Sequence, residues 1–215
     1  MKIEIWSDIA CPFCYIGGRH LELALDDLPF GDEVELEWRS FQLDPTAPVE
    51  TQESTAAMLA RKYGMSVEQA RASQQQISER AAAVGLSMNP EGSIPTNTKD
   101  AHRLMHLAAR HGLAHAMGQR LFKAHFEDRV NVGKHGELKR LGVEVGLPAA
   151  EIDALLAGNE FEAEVSADQQ LAASFGVRGV PFFVLDRKYA ISGAQPVESF
   201  RAALKKAWDE RSAHA

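Results

Sequence analysis

Hydrophobic and polar positions alternate at the start of the chain, with Ile3 and Ile5 set between Lys2, Glu4 and Trp6. That period of two predicts a short strand ending near Asp8. From Cys11 to about Leu28 the spacing of Tyr15, Leu21, Leu25 and Leu28 becomes helical, with Pro12 suited to a first turn and Pro29 lying beyond the end. Alternation returns at Val34, Leu36 and Trp38, between Glu35, Glu37 and Arg39, and predicts a second strand. A helix between two strands permits a parallel βαβ crossover, with one face of the second strand solvated.

From about Asp44 to Gly158 the period is helical throughout. Gly64, Gly85, Gly112, Gly146 and Gly158 each close a run where a left-handed cap is expected. Ser66 with Gln69 fits a capping box, Asn97 and Thr98 offer caps to the next helix, and Pro148 fits a first helical position. Met88 to Thr96, rich in Asn, Pro, Gly and Ser, is expected to be a loop and a mobile surface segment. A helix follows from about Phe161 to Phe175, closed by Gly176. Phe182 to Leu185 reads as a buried strand, and Tyr189 to Ser192 pairs back on it across Asp186 and Arg187. Gly193 to Pro196 turns the chain into a last helix, about Val197 to Arg211, that buries Phe200, Leu204 and Trp208. The pattern predicts an α/β protein: residues 1–43 and 159–215 form the sheet-containing domain, and residues 44–158 an inserted helical one.

Composition narrows the class. The 215 residues are 45% apolar and 25% charged, and no apolar run reaches the roughly 18 residues of a membrane span. A formal charge of −7, from 23 basic and 30 acidic side chains, argues against a phosphate-neutralising surface and so against nucleic acid as a partner. The first eight residues already contain two acids and lack the apolar run of a secretory signal, so the expected location is the cytoplasm. There thiol buffers would hold the cysteines reduced.

Only two cysteines are present, in Cys11-Pro12-Phe13-Cys14, at a strand exit and a helix mouth. Unpaired amides at a helix N-terminus favour negative charge, so Cys11 is the expected nucleophilic thiolate. Cys14, one turn on, is placed to attack a mixed disulfide formed at Cys11. Two other readings compete: inert core thiols, and half of a zinc site. The pairs His102 with His106 and His111 with His115 have helical i, i+4 spacing, but neither is completed by a cysteine or acid at ligand spacing, and solvated or satisfied histidines are preferred. His20, His125, His135 and His214 carry no signal. Asp8 is read as a helix-start cap, with an acid assisting proton transfer as the alternative. Gly179-Val180-Pro181-Phe182-Phe183 opens a strand with a proline whose isomer the residues leave open. Phe13, between the cysteines, offers an apolar landing surface.

Taken together, Trp6-Ser7-Asp8 before Cys11-Pro12-Phe13-Cys14, Asn97 to Arg103, Gly179 to Phe183, and Ile191-Ser192-Gly193-Ala194-Gln195-Pro196 resemble the DsbA family of thiol-disulfide oxidoreductases, in its FrnE-like branch. The resemblance covers nearly the whole chain. It implies a thioredoxin-like fold interrupted by a helical domain, Cys11 as nucleophile, Cys14 as resolving thiol, and Pro181 cis beside them. Pro12, Phe13, Val180 and Pro181 would then meet the substrate, Val180 through its backbone. Protein or small-molecule thiols and disulfides are the implied partners, and no cofactor is required beyond glutathione as an optional thiol co-substrate. The same superfamily contains glutathione-dependent isomerases and transferases of the hydroxychromene carboxylate isomerase and kappa types, which retention of both cysteines weighs against. A binding module using the interdomain cleft without turnover is the third reading.

Overall fold

The N-terminal alternation forms β1 (Lys2–Ser7), and the helical run that follows forms α1 (Pro12–Asp26). The second alternating stretch is β2 (Glu35–Ser40), parallel to β1 with Ile3 opposite Leu36 and Ser7 opposite Ser40. The computed structural model describes residues 1–212. Near the C-terminus β3 (Phe182–Leu185) pairs antiparallel with β1, and β4 (Tyr189–Ser192) pairs antiparallel with β3. Among the described residues these make one mixed sheet of order β2-β1-β3-β4. α1 and the last helix, α9 (Val197–Ser212), pack together and bury Leu21, Phe183, Phe200 and Leu204 in a common core with Ile3 and Ile5.

The long stretch between β2 and β3 holds seven helices among the described residues. They are α2 (Thr55–Tyr63), α3 (Val67–Ala82), α4 (Lys99–Arg110), α5 (Ala114–Phe126), α6 (His135–Val145), α7 (Ala149–Ala157) and α8 (Glu162–Ser174). Ser66 and Gln69 close the capping box at α3, satisfying two amides that the first turn leaves unpaired. The helical block shares a core with the outer face of α1, since Cys14, Tyr15 and Ile16 pack with Leu104, Leu121 and Phe122. Tyr15 fastens the two parts: its ring stacks on Phe122 at 5.2 Å, and its hydroxyl donates to Glu127 at 2.9 Å. No helix among the described residues is long and apolar enough to cross a membrane.

Several local expectations need correction. Gly64, Gly85, Gly112 and Gly146 have positive φ, but Gly158 is extended, at φ −115°. The left-handed step falls instead on Phe161, while the Gly158 carbonyl accepts from Arg103 at 2.7 Å. Pro148 is the residue before α7, its carbonyl receiving the Ile152 amide. At α4, Asn97 accepts from the Lys99 amide and Thr98 makes no capping bond. Met88 to Thr96 is packed rather than peripheral: Met88, Pro90, Ser93 and Thr96 are buried, because a short 3-10 turn at Pro90–Gly92 folds the segment against α2 and α3.

Candidate active site

β1 ends at Ser7, and the chain reaches α1 through a tight turn in which the Cys11 amide donates to the Asp8 carbonyl at 3.0 Å. Cys11 is the N-cap of α1, in extended conformation, and Pro12 occupies the first turn, where its missing N–H costs nothing. No side chain caps this end, so the amides of the first turn remain directed toward the Cys11 side. Cys14 lies one turn along, its amide donating to the Cys11 carbonyl at 3.0 Å. Both thiols are free, Cys11 4% exposed and Cys14 1%. Burial pushes the Cys14 thiol well above its usual range, and the neighbouring Cys11 adds to this. The Ser7 hydroxyl and the Asp8 backbone act in the opposite sense but are outweighed.

The loop before β3 covers Cys11. The Val180–Pro181 peptide is cis, and the Cys11 thiol donates to the Val180 carbonyl at 3.6 Å. Gly17 permits this closeness: a Cβ there would lie 2.9 Å from Pro181 Cγ and 3.3 Å from the Phe183 ring. Phe13 projects from α1 beneath the Arg80 guanidinium of α3, 5.5 Å from the ring centroid.

Asp8 does not cap α1. It stands three residues before the N-cap, and its carboxylate turns into the interior, accepting from the Leu43 amide at 2.7 Å and facing His102 Nε2 at 3.4 Å. Burial works upward on this carboxyl and is the largest single influence. The combined pull of His102, the Leu43 N–H and Thr98 wins, holding it below the usual aspartate range. His102 is therefore a satisfied interior histidine, fixed to the turn that carries the cysteines.

The other histidines scatter. His106 Nε2 lies 3.1 Å from Ser40 Oγ and 3.2 Å from Asp168 Oδ2, whereas His111 pairs with Glu151 and His115 faces Glu22. His20 bonds the Gln195 carbonyl and His135 pairs with Asp100. His125 is buried with no partner at Nδ1, and burial lowers its pKa to about 4. His214 lies outside the described residues. Among those residues no three His, Cys, Asp or Glu side chains converge as metal ligands.

A cleft of about 580 Å³ opens beside the cysteines, between α1 and the α2–α3 hairpin. Cys11, Pro12 and Phe13 form one wall; Met58, Leu59, Met65 and Ile77 supply apolar lining opposite. Val180 and Pro181 are not part of that lining, so Cys11 sits between the cleft and the proline loop. Sequence reasoning missed Arg80 and the partnership of His102 with Asp8. His102 lay within the Asn97–Arg103 stretch that carried the family resemblance, but nothing local to it pointed at Asp8.

Comparison with known proteins agrees with this architecture. The description "DSBA-like thioredoxin domain" matches residues 2–205. The Bacillus subtilis (strain 168) protein YwbO is 26% identical over 206 residues, covering 95% of this chain and 96% of that protein. The crystal structure of a probable DsbA oxidoreductase from Streptomyces coelicolor superposes with a TM-score of 0.93 at 44% identity, over 98% of this chain and 91% of that one. A 2-hydroxychromene-2-carboxylate isomerase shares the fold at a TM-score of 0.74 and 13% identity, with each chain covered in full. The match along nearly the whole length, with the strand order and inserted helices described above, means that the chain belongs to the DSBA-like thioredoxin family.

Proposed function

We propose that the protein exchanges disulfides with protein or small-molecule thiols through Cys11 and Cys14, as a cytoplasmic enzyme of the FrnE-like branch. The observation that carries this reading is the placement of Cys11: at the mouth of α1, 3.6 Å from the Val180 carbonyl, with a second free thiol one turn behind it. No side chain caps the mouth of α1 at Cys11, and in disulfide exchange the thiolate is the attacking species.

In the reductive direction, Cys11 attacks a substrate disulfide, forming a mixed disulfide and expelling one substrate thiolate. Cys14 then attacks the Cys11 sulfur, expelling the second thiolate and leaving the Cys11–Cys14 disulfide. A peptide substrate lying along the backbone at Val180 would align its sulfur with Cys11 by strand-like pairing. Phe13 and the methionine-lined cleft favour substrates carrying apolar groups near the sulfur, since flexible thioether side chains adapt to varied apolar shapes.

Insulin reduction followed by turbidity tests the reading. The native protein should accelerate precipitation, Cys11→Ser should not, and Cys14→Ser should accumulate a mixed disulfide at Cys11. Equal rates for native protein and Cys11→Ser would exclude thiol exchange. Turnover of an aromatic substrate with glutathione, undiminished in Cys11→Ser, would instead establish the isomerase-type activity.

A further inference from the structure

Phe13 stands between the two cysteines, half-buried, and shares with Cys11 and Pro12 the wall that α1 gives the cleft. The wall opposite includes α3, where Ser73 and Ile77 line the cleft one turn apart. Three residues further along the same stripe is Arg80, because positions i, i+4 and i+7 share a helix face. Its side chain is exposed, and its guanidinium lies over the Phe13 ring, 5.5 Å from the centroid. That contact orients the guanidinium without consuming its N–H groups, since a ring face offers no acceptor oxygen. Among the described residues Arg80 forms no ion pair and no hydrogen bond.

The basic groups nearest it in the chain and in the cleft are already committed. Arg61 is bidentate with Glu53, Arg71 pairs with Glu91, and Arg19 is shared between Glu22 and the Val84 carbonyl. Lys62, on the cleft lining, lies close enough to Asp44 to hold that carboxyl down. Glu79, the acid next to Arg80 in sequence, accepts from Gln75 instead. A cation with open donors therefore stands on the ring that separates the two thiols, beside a cleft that is otherwise largely apolar.

We propose that Arg80 is a specificity-determining residue for small-molecule disulfides and thiols that join an apolar or aromatic body to a carboxylate, and that it pairs with the carboxylate while Cys11 meets the sulfur. The inference rests on the thiol-exchange reading above and names the substrate class of that site. The body enters the cleft, whose volume of about 580 Å³ suits a small molecule, against Phe13, Ile77 and the methionines. The carboxylate stays at the edge, where the planar guanidinium offers two parallel N–H groups to its two oxygens. Because the ring already holds the guanidinium, little side-chain freedom is left to lose on binding. In the covalent step the Cys11 thiolate bonds to the nearer substrate sulfur, the substrate S–S bond breaks, and the far half leaves as a thiolate with the electron pair. The carboxylate neither gains nor loses a proton, so Arg80 acts on binding and leaves the redox balance untouched.

The test compares two aromatic disulfides with reduced full-length protein in stopped flow: 5,5′-dithiobis(2-nitrobenzoate), which carries carboxylates, and 2,2′-dithiodipyridine, which is neutral. The readout is the ratio of their rate constants for the first thiolate released. Arg80→Gln should lower that ratio by roughly 3- to 5-fold, the upper part of the range for a solvent-exposed ion pair. Arg80→Glu, which reverses the charge, should lower it further. Phe13→Leu keeps apolar bulk but removes the ring on which the guanidinium rests, and should also lower it. Lys205→Gln removes one charge from the exposed face of α9, outside the helical block, and should leave the ratio as in native protein.

An unchanged ratio in Arg80→Gln and Arg80→Glu would overturn the assignment. An equal fall in Lys205→Gln would overturn it too, because the effect would then belong to the net charge. A variant that slows both disulfides alike has a structural defect, and such a result for Arg80→Gln would refute a role in recognising the anion. Both rates come from one sample, so their ratio is independent of the folded fraction. Native protein that reacts with neither disulfide would instead refute thiol exchange itself.

Discussion

Replacing Gly17 by alanine sets two effects against each other. Alanine favours a helix interior over glycine by about 1 kcal/mol. At Gly17, however, the new methyl would stand 2.9 Å from Pro181 Cγ, 3.3 Å from the Phe183 ring and 3.4 Å from the Ala194 backbone. A proline ring, a fully buried aromatic and main chain cannot swing aside, so overpacking of about 1–3 kcal/mol is expected. The net result is a loss of up to about 2 kcal/mol and displacement of the loop carrying the Val180 carbonyl away from Cys11. Gly18 provides the internal control. Its methyl would meet only the Trp38 ring at 3.6 Å, an ordinary contact, so Gly18→Ala should keep most of the helical gain. Urea unfolding should therefore order the three proteins as Gly18→Ala, native, Gly17→Ala, with insulin reduction slowed only in Gly17→Ala. Gly17→Ala as stable and as active as Gly18→Ala would refute the claim that this glycine sets the approach of loop to helix.

Other expectations concern buried groups and the cysteines. His125 is buried with its pKa lowered from 6.5 to about 4, so the unfolded chain binds its proton first. Stability present above pH 6.5 should fall as pH drops toward 4, by about 3 kcal/mol for this group, and His125→Leu should flatten that slope in urea titrations; an unchanged slope would contradict the burial. Asp8→Asn puts an amide where the buried carboxylate accepts from the Leu43 amide and faces His102, and should cost about 1–3 kcal/mol in chemical denaturation at pH 7. A cost below about 0.5 kcal/mol would mean that these contacts do not anchor the turn. Iodoacetamide at neutral pH should modify Cys11 before Cys14, as read by peptide mass mapping, because Cys14 is the more deeply buried thiol and its ionisation is opposed by burial. Phe13→His should raise the redox potential measured against glutathione by tens of millivolts, at ~30 mV per 1.4 kcal/mol of thiolate stabilisation. An equal or lower potential would deny residue 13 control of the couple.

The parts of this molecule legible in the sequence are those whose causes are local. β1, α1 and the cysteine pair follow from alternation, a change of period and a proline at the helix start, all within 30 residues. The helices between β2 and β3 were visible as helical spacing, although residues 44–54 and 93–98 form none. What escaped depends on chain segments distant in sequence. Asp8 had the composition of a helix cap, and only the approach of α4 from 94 residues away gives it an interior hydrogen-bond partner in His102. Arg80 is an unremarkable charge on an exposed-looking helix until α3 lays it over Phe13. Met88 to Thr96 has the residues of a free loop, yet its turn is buried because α2 and α3 close over it. At Gly158 the carbonyl is taken by Arg103, an interaction that no property of the glycine foretells.

The position of the helical block between β2 and β3 also bears on how the protein comes off the ribosome. Cys11 and Cys14 emerge with the first βαβ unit, whereas the Val180–Pro181 loop and β3, which complete the sheet beside β1, are made about 170 residues later. At roughly 5–20 residues per second that interval is on the order of 10–30 s. During it the nascent chain displays both cysteines without the loop that receives the Cys11 thiol or the helices that bury Cys14. The nascent cysteines thus lie open to solutes from which the finished fold shields them, and the yield of correctly closed molecules should depend on how reducing the surroundings are while the chain is being made.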